Sequence, residues 1–295
     1  MNNVLTFDVE EYFHAEAFAG VVRPEDWPAF GSRVVDATER LLDILDYADV
    51  RATFFVLGWV AERQPGLVQE IHARGHELAC HGYSHQMISR LTPQEFAEDV
   101  KRAKKVIEDI AGTRVIGYRA PTFSVTRQTL WSLEVLMEAG FRYDSSIFPI
   151  VHDRYGIPDA PRFAHRIPIF VNRIPIVGNG CAMAELPLST LSVFGQRLPV
   201  AGGGYFRLLP YGLTRLAIRH LNKVERQPAV VYLHPWELDR QQPRLSVGRL
   251  TRLRHSINID ETEDKLCRLL ADFRFAPAAQ VLAETGVLVN GGEVA

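Results

Sequence analysis

The 295-residue chain is 47% hydrophobic and 23% charged, the composition of a folded globular protein rather than of a disordered, fibrous or membrane chain. Its 33 Lys and Arg balance 35 Asp and Glu without gathering into a polyelectrolyte block, so nucleic acid is not an expected partner. Three scattered cysteines, Cys80, Cys181 and Cys267, have no paired spacing and suggest neither a disulfide framework nor a zinc–cysteine site, and Cys80 reads as core.

The first elements alternate short apolar runs with helical spacing, the pattern of βα units around a parallel sheet. Val4 to Phe7 is expected as a strand, Val34 to Leu45 as a helix, Ala52 to Leu57 as a strand, Gly66 to Ala73 as a helix and Glu77 to Cys80 as a buried strand. Thr92, Pro93 and Glu95 open an amphipathic helix that runs to Ile110 and closes near Gly112. Val115 to Tyr118 follows as a strand, Thr126 to Ala139 as a helix ended by Gly140, and Phe141 to Tyr143 as the next strand. Between Ser145 and Pro210 prolines and glycines break the alternation, and a loop-rich insertion with short strands is expected. Tyr211 to Leu221 reads as a helix, Ala229 to Leu233 as a strand, and Asp260 to Thr285 as helical.

No clean linker appears, so a single domain over 1–295 with a helical extension over about 240–295 is expected. Within that extension five arginines and no acid lie between Arg240 and Arg254, a surface bias interrupted by Pro243 and Gly248. The N-terminal MNNVLTFDVE enters an apolar strand without a leader pattern, and no run of about 18 apolar residues is present to span a bilayer, which makes cytoplasm the default expectation.

The reactive residues fall just after the apolar strands, the edge that carries chemistry in parallel barrels. Asp8 and Glu10 are two apart and share a strand face, so one can ligate a metal while the other takes a proton. His81-Gly82-Tyr83-Ser84-His85 puts two imidazoles four residues apart, able to face one ion. Imidazole with a carboxylate suits zinc, cobalt or iron and leaves an open position. Arg119, in Tyr118-Arg119-Ala120-Pro121, can orient a carboxylate. His234 leaves an apolar strand ahead of Pro235 and Trp236 and is a candidate proton donor.

Taken in order, Thr6-Phe7-Asp8-Val9-Glu10, His81 to His85, Arg119-Ala120-Pro121, Tyr143-Asp144-Ser145-Ser146 and Leu233-His234 resemble the NodB-homology polysaccharide deacetylases, carbohydrate esterase family four. The resemblance covers about Val4 to Asp239. It implies an α/β fold, a distorted (β/α) barrel of the seven-stranded type, and one divalent metal, zinc first and cobalt, nickel or iron as alternatives. It implies Asp8 as general base, Arg119 as its orienting partner, His234 as general acid, and Glu10, His81 and His85 as ligands. Tyr143, Asp144, Pro121 and Trp236 are the implied substrate contacts, with a backbone N–H near Tyr143 as an oxyanion donor. The chain departs from the family at Val9, where a metal-binding aspartate usually stands, so the exchange of roles between Asp8 and Glu10 stays open.

The opening Asp8 to His14, with Gly202 to Arg207 and His234 to Glu237, resembles a subgroup found with bacterial exopolysaccharide export. That implies an N-acetylated polysaccharide as substrate and is compatible with an export machinery as partner. Other readings are hydrolysis of a small cyclic amide or ureide, a metal-free glycosidase pair of Asp8 and Glu10, and a sugar-binding barrel that has lost catalysis.

Overall fold

The computed structural model describes residues 1–168, 170–171, 174–175, 182–200, 202–243, 245–248 and 255–288. Cys181, and positions 244, 249–254 and 289–295 of the expected C-terminal extension, lie outside the described residues.

Nine strands form the main sheet: β1 Asn3–Val9, β2 Thr53–Val56, β3 Glu77–Cys80, β4 Gly117–Tyr118, β5 Tyr143–Asp144, β6 His165–Pro168, β7 Ala182–Glu185, β8 Val230–Leu233 and β9 Phe275–Ala276. Their order is β8-β1-β2-β3-β4-β5-β7-β6, with β9 pairing the start of β1. From β8 to β7 every neighbouring pair is parallel, and β6 closes that edge antiparallel. The ladder does not return to β8 among the described residues, which makes it an open, distorted barrel. The seventh parallel strand, β7, lies inside the segment read as a loop-rich insertion.

Helices cover this sheet for the reasons the sequence carries. The helix Pro93–Ala111 begins at Thr92, whose hydroxyl accepts from the Glu95 amide while the Glu95 carboxylate accepts from the Thr92 amide at 2.8 Å. It ends at Gly112 with φ 65°, and it buries Phe96, Val100, Ala103 and Ile107 at spacings of one helix face. Several expectations shift: the strand read from Val115 starts at Gly117, and the tail read as helical over Asp260 to Thr285 is two helices, Ile259–Asp272 and Ala278–Glu284, separated by β9. The helix read from Thr126 starts only at Ser132, because the Thr129 hydroxyl accepts from the Thr126 amide at 2.8 Å and donates to the Ser124 carbonyl at 2.8 Å, a local turn that competes with helix. The strand read over Phe141 to Tyr143 is Tyr143–Asp144, since Gly140 at φ 84° turns the chain and the Phe141 amide still bonds the Leu136 carbonyl of the helix before it.

Among the described residues no helix is long and apolar enough to cross a membrane. One close approach holds β4 and β5 in register: a Cβ on Gly117 would stand 2.1 Å from Cζ of Tyr143, whose hydroxyl donates to Glu77 at 2.8 Å from a fully buried ring. Gly117→Ala is therefore expected to destabilise the fold by about 1–3 kcal/mol, the usual range for an overpacked core, read as a lower urea midpoint with an unchanged slope.

Candidate functional site

Of the six residues nominated at the strand ends, all but Arg119 line one cleft of about 160 Å³, together with Ala15, Glu16, Ala120, Thr122, Phe123 and Trp236. Asp8 is in β1 and Glu10 follows its last residue, and both carboxylates are buried. After β3 the chain turns at Gly82, φ 72°, and again at His85, φ 51°. That turn is held from outside by Asp99, whose carboxylate accepts from the amides of Tyr83 at 2.7 Å and Ser84 at 3.0 Å. His85 is therefore returned toward His81 by a tight loop rather than by a helical turn.

Ligand atoms of Glu10, His81 and His85 lie within 4.8 Å of one another. Nδ1 of His81 donates to the Arg119 carbonyl at 2.9 Å, which fixes the tautomer and leaves its Nε2 lone pair facing the cleft. Nε2 of His85 stands 2.6 Å and Nε2 of His81 3.8 Å from Oε2 of Glu10, yet this buried oxygen accepts no hydrogen bond. Converging lone pairs without hydrogen-bond geometry around an orphaned carboxylate oxygen are what a bound cation requires, so these three residues fit a single divalent metal.

Asp8 faces a different set of partners. Its Oδ1 accepts from Nη1 of the fully buried Arg119 at 2.7 Å, and its Oδ2 lies 3.8 Å from Nε2 of His234. The guanidinium also donates to Thr6 Oγ1, to the Ser145 carbonyl and to Ser145 Oγ at 2.8, 3.1 and 2.9 Å, so it cannot turn toward another acid. Across the cleft, Nδ1 of His234 is 2.8 Å from Oε1 of Glu237, which also accepts from the His234 amide at 3.0 Å. Oε2 of Glu237 takes Nε of Arg207 at 2.6 Å.

These surroundings separate the charge states. Burial lowers His81 to about 4, offset only in part by Asp8, so it is a neutral donor of electrons at physiological pH. For His234 burial also lowers the pKa, but the hydrogen bond to Glu237 and the charges of Glu10, Glu237 and Asp8 outweigh it and raise the value to about 9. For Glu10 burial pushes upward, and the imidazoles of His85, His234 and His81 reverse this and hold the carboxyl below the usual range.

Of the implied substrate contacts, only Trp236 lines the cleft. The Tyr143 ring is in the core beside Phe55, its hydroxyl turned to Glu77 at the other end of the strands, and its amide is taken by the Ile116 carbonyl at 3.2 Å, so that amide is not free to serve as an oxyanion donor. Asp144 is fully buried and accepts from the Ser146 hydroxyl at 2.5 Å, and that hydroxyl accepts from the Ala120 amide at 2.8 Å; it braces the Arg119 loop from beneath. Pro121 is buried, and its neighbours Thr122 and Phe123 form the cleft wall with φ of 55° and 51°, two consecutive left-handed residues.

A sequence profile described as polysaccharide deacetylase matches residues 4–143. The chain carries a polysaccharide deacetylase domain. Residues 145–283 match a second profile, described as a domain of unknown function (DUF3473), and this part supplies β7 and β8 to the sheet and His234 and Trp236 to the cleft. A peptidoglycan deacetylase-like protein of Gibberella zeae is 34% identical over 110 residues, 37% of this chain and 32% of that one. A peptidoglycan-N-acetylglucosamine deacetylase of Bacillus cereus is 30% identical over 101 residues, 34% of this chain and 37% of that one. A peptidoglycan deacetylase of Helicobacter pylori is 32% identical over 127 residues, 42% of each chain. The chain thus matches about a third to two fifths of the length of these curated relatives. A solved structure from Mycobacterium smegmatis, ascribed to the polysaccharide deacetylases, shares the fold with a TM-score of 0.60 over 99% of this chain and 93% of that one, at 21% identity.

Two residues at or behind the cleft, Glu237 and Glu16, were not nominated as site residues by their sequence pattern. Glu237 has a local signal, a carboxylate three residues after His234 across Pro235, the spacing of a capping box, and the structure closes that box. Glu16 has none: it reaches the rim only because the long segment after β1 folds back over the cleft, where it pairs with Arg90 at 2.6 Å. Because the folded pKa of His234 is raised, its contribution to stability is complete below its ordinary 6.5 and is lost as pH rises through about 9. Replacing Glu237 by Gln is expected to bring the His234 titration, followed by ring NMR resonances, down from about 9 and to erase the extra stability between those two pH values.

Proposed function

We propose that the protein is a metal-dependent N-deacetylase that removes acetyl groups from an acetamido-sugar polysaccharide, with a bacterial exopolysaccharide as the substrate. The observation that carries this reading is the pairing of a Glu10, His81 and His85 cluster, converging on a buried carboxylate oxygen that accepts no aligned hydrogen bond, with Asp8 and a His234 of raised pKa beside it. The deacetylase domain and its curated relatives support the reaction class. The segments Asp8 to His14 and Gly202 to Arg207 support the exopolysaccharide and an association with its export, through their resemblance to that subgroup.

A divalent cation at this cluster, zinc first and cobalt, nickel or iron otherwise, would polarise the acetyl carbonyl and stabilise negative charge on its oxygen. The chain does the rest. Asp8, held by Arg119 through one oxygen, keeps the other turned toward the cleft and takes the proton of the attacking water. His234, charged at physiological pH, gives its Nε2 proton to the departing sugar nitrogen, while Glu237 holds Nδ1–H and balances the imidazolium before that transfer. Asp8 and His234 between them supply the base and the acid that amide hydrolysis requires. A glycosidase pairing of Asp8 and Glu10 would leave His81 and His85 without a task, and a small cyclic amide shares the same machinery and differs only in what fills the rim.

Purified protein is expected to carry close to one equivalent of transition metal by elemental analysis, and His85→Ala to lose it. Asp8→Asn is expected to retain the metal and to slow acetate release from an N-acetylated oligosaccharide by a factor of about 100 to 10,000, the range for removal of a positioned base, whereas Glu10→Gln loses the metal itself. A wild-type protein that takes up no divalent metal overturns the reading, and acetate released only from a cyclic amide or ureide panel redirects it.

A further inference from the structure

Trp236 sits between the two halves of the cleft. Its indole Nε1–H donates to Oε1 of Glu10 at 3.2 Å, and both side chains are buried. The ring stacks on His234, centroids 4.8 Å apart at 22°, and on His255, 4.5 Å at 21°. The Arg207 guanidinium stands 5.4 Å from the ring centroid. With its ring stacked on two imidazoles and only 6% of the residue exposed, Trp236 has no open face to offer a sugar ring. Its presence in the cleft wall is an edge, and that edge carries the N–H.

The bond divides the Glu10 carboxylate. Oε1 is occupied by the indole, and Oε2 is left buried, without a hydrogen bond, beside Nε2 of His85 and His81. A glutamate has one more rotatable bond than the aspartate common in this family, and a free Glu10 would sample arrangements in which either oxygen, or both, turned to the histidines. We infer that Trp236 is a positioning residue for the metal site: its N–H holds Oε1 of Glu10 so that Oε2 alone meets His81 and His85. The longer carboxylate then serves as ligand from a position one residue beyond the usual one, and Asp8, with no such donor, stays with Arg119 and the proton. This inference rests on the metal-dependent reading above.

The test compares wild type, Trp236→Phe, and a protein carrying benzothiophene in place of indole at position 236, which exchanges the N–H for sulfur and keeps the ring outline. Zinc affinity by chelator competition and the visible absorption of the cobalt(II) form are read in each. Both changes are expected to weaken zinc binding by about 10–100-fold, the range for loss of a group that orients a metal ligand, to alter the cobalt spectrum, and to leave acetate release recoverable by excess metal. In a Glu10→Asp background, where the shorter carboxylate no longer reaches the indole, Trp236→Phe is expected to cost no further affinity. Unchanged zinc affinity and cobalt spectrum with a raised KM for the acetylated oligosaccharide would overturn the inference and make Trp236 a substrate contact. Should Trp236→Phe not fold, the benzothiophene protein decides alone. A wild type that binds no metal is a different failure, of the function reading, and is seen before any variant is made.

Discussion

A fully buried guanidinium, Arg119, ties the strand ends together. It follows β4, reaches Thr6 and Asp8 in β1 and Ser145 just past β5, and lies 4.1 Å from the centre of the Phe55 ring in β2. Taking such a charge out of water costs several kcal/mol, an expense met here by four hydrogen bonds, one of them to a carboxylate. Removing Asp8 leaves that charge unbalanced, so the base of the proposed reaction is also a structural counter-ion. The same residue's carbonyl sets the His81 tautomer, so the acid–base side and the metal side are positioned by one loop.

The second half of the chain completes the cleft rather than adding a separate module. β8 pairs with β1 from Val4–Val230 to Phe7–Leu233 and brings His234 beside Asp8. Glu237 and Arg207 form a buried chain of charge behind His234, and Arg207 is in turn anchored by its carbonyl to Lys265 and Asn258 of the C-terminal region. A change in that outer packing would be felt at the proton donor through one hydrogen-bonded line.

Sequence reading found the strands whose burial is complete and whose flanks carry turn residues, such as Thr53–Val56 and Val230–Leu233, because local pattern and environment agree there. It missed β7, since four residues among prolines and glycines have no periodicity to show, and their strand state comes from pairing with β5 and β6. It misplaced Tyr143 and Asp144 for a related reason. Both follow an apolar run, but Gly117 leaves room for the Tyr143 ring to lie back along the sheet toward Glu77, away from the strand ends, and Asp144 is held by the Ser146 hydroxyl beneath the Arg119 loop.

Asp8, Glu10, His81, His85, Arg119 and His234 were legible as a set because parallel strands deliver their C-terminal ends to one edge, so residue type and position after a strand are enough to nominate them. The sequence alone determined that inventory and the alternation that delivers it. Which carboxylate joins the histidines was decided only in three dimensions. Glu10 and Trp236 are 226 residues apart and Asp8 and Arg119 are 111 apart, and no local pattern encodes a hydrogen bond across such distances. The division of labour between two neighbouring acids comes from which buried donor each one meets when the sheet closes around them.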